Sequence, residues 1–346
     1  MKKKSLSAKK IIHKKLLSYL KDPIVKKVYF EFCKILNSYI KFNKISVAVS
    51  GGPDSLALAY FSKCYSITNK IKISFYHVNH NLRKESGVES KKLKFILKKF
   101  DINCQILHWK GKKPSVNIQS VARTKRYSLI YDRCIKDKVR VVLFAHHLDD
   151  VFENFLIRLL RGSGLKGLIS FNDLETEYKK LKILRPLINI KKSNLIKITT
   201  KIFNFKFEDP SNKNINFKRI RIRNLINDLK SEGLNIEKLR LTINNLTDSN
   251  FTINHYVNEN IKFNSKYNKK KKNYILNSDF FNQPHEIVFR SLTNLLKKIG
   301  NKYYSPRGKS IDILLSKLGS GDIKKINISG CILEKINNSF VIYQEK

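Results

Sequence analysis

Little in this chain points outward from a reducing compartment or into a membrane. Its five cysteines, Cys33, Cys64, Cys104, Cys134 and Cys331, are odd in number and scattered, with no C-x-x-C pair. That spacing excludes a zinc ribbon or a redox dithiol and suits free thiols in a cytoplasmic protein. No stretch reaches the ~20 apolar residues needed to span a bilayer. The start, MKKKSLSAKKIIHKK, is broken by lysines where a signal peptide needs an apolar core. No internal repeat is present, and nothing signals a stable protein partner. Acidic residues are scarce: 27 Asp+Glu stand against 70 Lys+Arg, a formal charge of +43 over 346 residues. Such a chain attracts polyanions, because each neutralised phosphate releases counterions. Codon bias toward lysine, asparagine and isoleucine is the competing explanation, although it would also favour glutamate.

Hydrophobic residues make up 42% of the chain, and the length suggests about two domains at ~150 residues each. Four apolar runs have strand composition: ISVAV (45–49), IKISFYHV (71–78), CQILHW (104–109) and VRVVLFA (139–145). Helical patterns lie between them, around 54–63, 87–100 and 117–136. The alternation predicts βαβ units in a parallel, doubly wound α/β sheet covered on both faces. A helix is expected from Asp149 to Leu160, an irregular region to about 216, and a basic helical pattern over 218–230. Beyond about 233 asparagine rises, a KYNKKKKNY run appears at 267–274, and no further alternation is clear. The end, ISGCILEKINNSFVIYQE, predicts a hairpin turning at Asn337 and Asn338. The expected organisation is a basic lead-in (1–41), a nucleotide-binding catalytic domain (42–232) and a smaller basic C-terminal domain (233–346).

The strongest local signal is SGGPDS at 50–55, directly after the first strand. Gly51 and Gly52 permit close backbone approach and unusual φ angles. Pro53 suits a first helical turn. Helix amides there face an anion, and Ser50 and Ser55 can add hydroxyl donors. An ordinary strand-turn-helix with an Asp54 cap reads equally well from spacing alone. The loop is not a Walker sequence. After the fourth strand come Asp149, Asp150 and Glu153. Asp150 and Glu153 share a helix face. They read either as a capping box or as carboxylates on the ligand side of an open sheet. There they could hold Mg²⁺ or the ammonium of an incoming amine. His77, His80, His146 and His147 lack a third soft ligand at useful spacing, which argues against a metal. Arg219, Arg221 and Arg223 alternate with Ile220 and Ile222. On an extended segment this would place three guanidinium groups on one side, suited to phosphate or simply solvated.

SGGPDS after an apolar first strand resembles the PP-loop of ATP pyrophosphatases. HVNHNLR (77–83), VARTKRY (121–127), AHHLDDVFENFLIRLLRGSGLKGL (145–168), LRPLI (184–188) and EDPSNKNINFKRIRIR (208–223) follow in the order found in tRNA(Ile)-lysidine synthetases. The resemblance covers about 42–230. Val151 and Asn154 stand where that family usually has Gln and Thr. The resemblance implies a PP-loop fold and a ligase. The ligase would use ATP and Mg²⁺ to join L-lysine to C2 of the wobble cytidine in the CAU anticodon of tRNA(Ile). AMP and pyrophosphate would leave, decoding would change from AUG to AUA, and identity would change from Met to Ile. It further implies that Ser50, Gly51, Gly52, Pro53, Asp54 and Ser55 hold ATP, with Asp54 near Mg²⁺ and His77 against adenosine. Asp150 and Glu153 would serve lysine, while Arg123, Arg126, Arg219, Arg221 and Arg223 would contact tRNA. The C-terminal domain would bind tRNA through residues 269–272, Arg290 and Lys298, interleaved with Tyr267, Tyr274, Tyr303 and Tyr304. A PP-loop tRNA thiolase is the nearest rival, though such enzymes commonly need paired cysteines. A non-catalytic RNA-binding protein is the rival from another class.

Overall fold

The computed structural model describes residues 2–39, 44–83, 85–111, 118–172, 174–179, 181–205, 218–301, 306–319 and 324–345. Positions 208–217 of the expected EDPSNKNINFKRIRIR segment lie outside the described residues, as do Tyr303 and Tyr304. The chain divides into two compact units, Met1–Leu239 and Arg240–Lys346.

The first unit is built on a six-stranded sheet. Its strands are β1 (Lys44–Ala48), β2 (Lys72–Asn79), β3 (Cys104–His108), β4 (Val141–Leu143), β5 (Glu175–Tyr178) and β6 (Leu181–Leu184). The order is β3-β2-β1-β4-β6-β5, parallel throughout except for β5 against β6. The helices are α1 (Lys2–Ser18), α2 (Pro23–Tyr39), α3 (Pro53–Asn69), α4 (Ser86–Lys99), α5 (Ile118–Lys136), α6 (Leu148–Leu159), α7 (Leu165–Ile169), α8 (Lys192–Phe203) and α9 (Lys218–Ser231).

Side-chain alternation along the strands separates two apolar layers. Ile45 and Val47 of β1 and Val141 and Leu143 of β4 join Leu56, Leu58, Leu93, Leu97, Leu195 and Ile198 from α3, α4 and α8. Val142 and Phe144 face the other way, onto Ile130 and Cys134 of α5. The stretch expected as a basic lead-in contributes to the first layer. Val25, Val28, Phe32 and Leu36 of α2 are buried in it, as is Leu16 of α1, and the Tyr60 hydroxyl donates to the Leu16 carbonyl at 3.0 Å. The region expected to be irregular holds the β5–β6 hairpin.

Chain order decides where a ligand sits. From β1 the sheet grows outward through β2 and β3, then the chain returns through α5 to lay β4 on the opposite side of β1. Strand order therefore reverses between β1 and β4. The loops leaving their carboxyl ends diverge and open a crevice.

The second unit contains most of α10 (Ile236–Asn264), then β7 (Ser265–Asn268), β8 (Asn273–Leu276), α11 (His285–Ile299), α12 (Gly308–Gly319), β9 (Lys325–Ile328), β10 (Cys331–Ile336) and β11 (Ser339–Gln344). The strands form an antiparallel sheet, β7-β8-β11-β10-β9, which the sequence reading did not anticipate beyond its last hairpin. That hairpin closes with Ile336 opposite Ser339. The lysine run is the tip of another hairpin: residues 269–272 turn between Asn268 and Asn273, with Tyr267 opposite Tyr274. Arg290 does not face solvent as expected. It is 4% exposed and donates to Glu286, Asn250 and Asn254.

Candidate active site

The loop after β1 turns sharply because Gly51 takes φ +96°, a conformation costly for any residue with a Cβ. Gly52 caps α3 with Pro53 in its first turn. The Ser55 hydroxyl organises the loop from inside. It accepts the amides of Ser50 (3.1 Å) and Gly51 (3.0 Å), and donates to the Gly52 carbonyl at 2.9 Å. Its bonding capacity is thus spent on the loop, in contrast to the expected phosphate donor. The first-turn amides of Asp54 and Ser55 have no partner within the helix and point outward with its dipole.

The loop rims a cavity of about 510 Å³ at the switch point. Val78, Ile130 and Phe144 give it an apolar floor, while Asp54, Arg126, Lys192 and Arg223 bring charge to its walls. Four buried polar atoms of residues lining it lack a hydrogen-bond partner among the described residues: Asp54 Oδ1, Arg126 Nε, His80 Nδ1 and His146 Nδ1. His77 also lines the cavity, but both its ring nitrogens are engaged, Nδ1 with the Val49 carbonyl (2.8 Å) and Nε2 with Ser90 Oγ (2.9 Å). Burial holds its pKa below the ordinary value. The ring therefore ties the end of β1 to α4 while it lines the cavity where the resemblance places adenosine.

Beyond β4, His147 is 2% exposed and sits among carboxylates: Asp54 at 3.4 Å, Asp150 at 3.6 Å and Asp149 at 3.7 Å. Burial alone would lower its pKa, but Asp54 and Asp150 outweigh burial and raise it. Its neighbour His146 is driven the other way. Burial and the guanidinium groups of Arg185, Arg123, Arg126 and Arg219 hold it well below the ordinary value. Two adjacent histidines thus have surroundings of opposite charge, carboxylates around His147 and guanidinium groups around His146.

The carboxylates divide by partner. Asp149 accepts the Lys192 amide at 2.9 Å, capping α8. Asp150 accepts the His147 amide at 3.1 Å, so the capping box here joins His147 and Asp150 and not Asp150 and Glu153 as their spacing suggested. Glu153, 2% exposed, is gripped by Arg223, with Nε–Oε1 at 2.5 Å and Nη2–Oε2 at 3.4 Å. The five arginines separate too. Residues 218–231 are helical, not extended, so Arg219, Arg221 and Arg223 cannot share one side as an alternating strand would allow. Arg221 is exposed, Arg223 and Arg126 line the cavity, and Arg123 donates to the Tyr127 hydroxyl at 3.3 Å. Of the residues that depart from the family pattern, Val151 is buried in packing and Asn154 donates to the Asp150 carbonyl at 3.0 Å. Lys192 was missed from sequence because one lysine among so many carries no signal. Arg185 was visible only as part of LRPLI.

The PP-loop domain family matches residues 24–229. A tRNA(Ile)-lysidine synthase of Wolbachia pipientis wMel is 32% identical over 321 residues, covering 91% of this chain and 74% of that protein. This chain belongs to the tRNA(Ile)-lysidine synthase family. The family is one of ATP-dependent PP-loop enzymes. The synthase of Rickettsia akari (strain Hartford) is 33% identical over 312 residues, 88% of this chain and 70% of the relative. Among solved structures, the U34-tRNA thiolase NcsA from Methanococcus maripaludis, with its [4Fe-4S] cluster, aligns with a TM-score of 0.51 at 19% identity, over 60% of this chain and 74% of its own. That likeness is one of fold. No helix among the described residues is long and apolar enough to cross a membrane.

Proposed function

We propose that this chain ligates L-lysine to C2 of the wobble cytidine in the CAU anticodon of tRNA(Ile), with ATP cleaved to AMP and pyrophosphate. One observation carries the reading. The cavity beside the loop carries an unpartnered carboxylate oxygen, Asp54 Oδ1, and an unpartnered guanidinium nitrogen, Arg126 Nε, and Asp54 also belongs to the carboxylate cluster around His147. The first-turn amides of α3 and Arg126 hold the triphosphate. The C2 oxygen attacks the α-phosphorus and pyrophosphate leaves. The lysine side-chain amine then attacks C2 and AMP leaves. Lysine's amine has a pKa of about 10.4, so it must shed a proton to react. Glu153 holds the ammonium, and Asp150, next to His147, orients it and takes that proton. Mg²⁺ fits beside Asp54, whose buried Oδ1 lacks a partner. No cluster of three side-chain donors occurs among the described residues, so phosphate oxygens would complete its shell. Bound there, it would neutralise charge on the phosphates. The basic second unit and Arg123, Arg219 and Arg221 receive tRNA, with Tyr267 exposed for base stacking.

Thiolation fits less well. Burial raises the thiol pKa of Cys64 and Cys104 to about 12 and of Cys134 to about 11, and no cysteine lines the cavity. A thiol held protonated is a poor nucleophile or cluster ligand. The test is product analysis: AMP and pyrophosphate should accumulate only when lysine and tRNA(Ile) are both present. ADP and phosphate, or turnover supported by a sulfur donor in place of lysine, would overturn the assignment.

A further inference from the structure

The ion pair between Glu153 and Arg223 stands at the wall of the cavity, which Arg223 lines and Glu153 does not. Both Glu153 oxygens face one guanidinium, so an incoming ammonium finds the carboxylate taken and a like charge beside it. Glu153 is 2% exposed, whereas the Arg223 side chain is 31% exposed and lines the nucleotide cavity. Arg223 also feels Asp150 and Asp54. It is the member of the pair that a ligand in the cavity can reach.

Resting on the reading that Glu153 serves lysine, we infer that Arg223 is a positioning residue that exchanges partners, leaving Glu153 for the polyphosphate of ATP and thereby opening the lysine site. A triphosphate outcompetes a single carboxylate for a guanidinium, because it offers more charge and more bidentate oxygen pairs. Once Arg223 turns, Glu153 is a buried carboxylate without a counter-ion, an unfavourable state. The ammonium of lysine relieves it. Lysine is then held only when the activating nucleotide is in place. Linkage makes the effect reciprocal, so lysine must tighten nucleotide binding by the same factor.

Calorimetry on the full chain tests this with L-lysine and the non-hydrolysable analogue α,β-methylene-ATP plus Mg²⁺. The analogue should tighten lysine binding about tenfold or more, within the ~5- to 150-fold usual for coupled sites, and lysine should tighten the analogue equally. Arg223→Gln should still bind the analogue, and its lysine affinity should no longer respond to it. Arg223→Lys retains a point charge for Glu153 and should keep part of the coupling, which guards against a Gln variant that does not fold. A wild-type factor below about twofold would overturn the exchange, as would a folded Arg223→Gln protein with the wild-type factor. Lysidine formation with nucleotide-blind lysine affinity would defeat the exchange alone. Absence of both lysine binding and lysidine would defeat the functional reading beneath it.

Discussion

Replacing Ser55 with alanine separates two accounts of the loop. In the structure Ser55 is 4% exposed, and its hydroxyl accepts from the Ser50 and Gly51 amides and the Ser50 hydroxyl and sends its proton to the Gly52 carbonyl. The substitution strands both amides. Ser50 is exposed and its amide can turn to water, but Gly51 is buried. An unsatisfied buried donor costs ~1–3 kcal/mol. At ~2 kcal/mol, a unit of this size should melt ~4–8 °C lower. ATP affinity falls for a different reason: Ser50 and Gly51 must now be ordered on binding, at ~1–2 kcal/mol per residue. That is roughly a 30- to 700-fold weaker Kd. If Ser55 instead donated directly to phosphate, the melting temperature would hold and affinity would drop by only one hydrogen bond, ~0.5–1.5 kcal/mol. Scanning calorimetry and nucleotide titration of the same preparation read both quantities. An unchanged melting temperature with a Kd loss below about tenfold would refute the organising role.

Glu153→Gln breaks a buried pair whose other member keeps partial contact with water. It should cost about 2–3 kcal/mol, below the 3–5 of a fully buried pair, and slow lysine transfer ~10²- to 10⁴-fold while ATP binding is retained; stability and single-turnover assays together check this. His147 has a raised pKa, so its folded form holds the proton more tightly than the unfolded chain. Its stabilisation is complete below about pH 6.5 and is lost as pH rises through the raised value. The melting-temperature difference between wild type and His147→Asn should therefore shrink across that window, and a pH-independent difference would contradict the placement of the charge. Replacing all four lysines at 269–272 with serine should flatten the salt dependence of tRNA affinity by at most about 3–4 in log–log slope, measured by filter binding, with nucleotide affinity unchanged.

The parallel core was legible because β1, β2 and β3 are apolar runs bounded by helical patterns, and buried strands leave that mark. The β5–β6 hairpin was not, since ETEY and LKIL are only four residues each and carry charged residues, with β5 at the edge of the sheet. The second unit's sheet hid for the same reason: β7 and β8 are four residues each and flank a run of lysines. Around the site, residue types were readable and partners were not. SGGPDS announced an anion-binding turn, yet Ser55 turned inward. Asp150 and Glu153 do share a helix, yet capping holds one and Arg223 the other. The basic helical pattern over 218–230 is borne out by the helix Lys218–Ser231, while the alternation of Arg and Ile at 219–223 had left an extended segment open. The same residues also satisfy a helix, whose buried positions are Ile220, Ile222 and Ile226. Pairings such as Glu153 with Arg223 join positions 70 apart, and nothing local encodes them.

On the proposed reaction, ATP chemistry at the β1–β4 crevice ends in a lysine bound to a cytidine. Incubating the full chain with ATP, isotope-labelled lysine and unmodified tRNA(Ile) bearing a CAU anticodon, then digesting the tRNA to nucleosides for mass analysis, tests it most directly. The expected product is a labelled lysidine nucleoside replacing one cytidine, absent when ATP is omitted. Labelled lysine recovered only as free amino acid, with that cytidine unmodified, would contradict it.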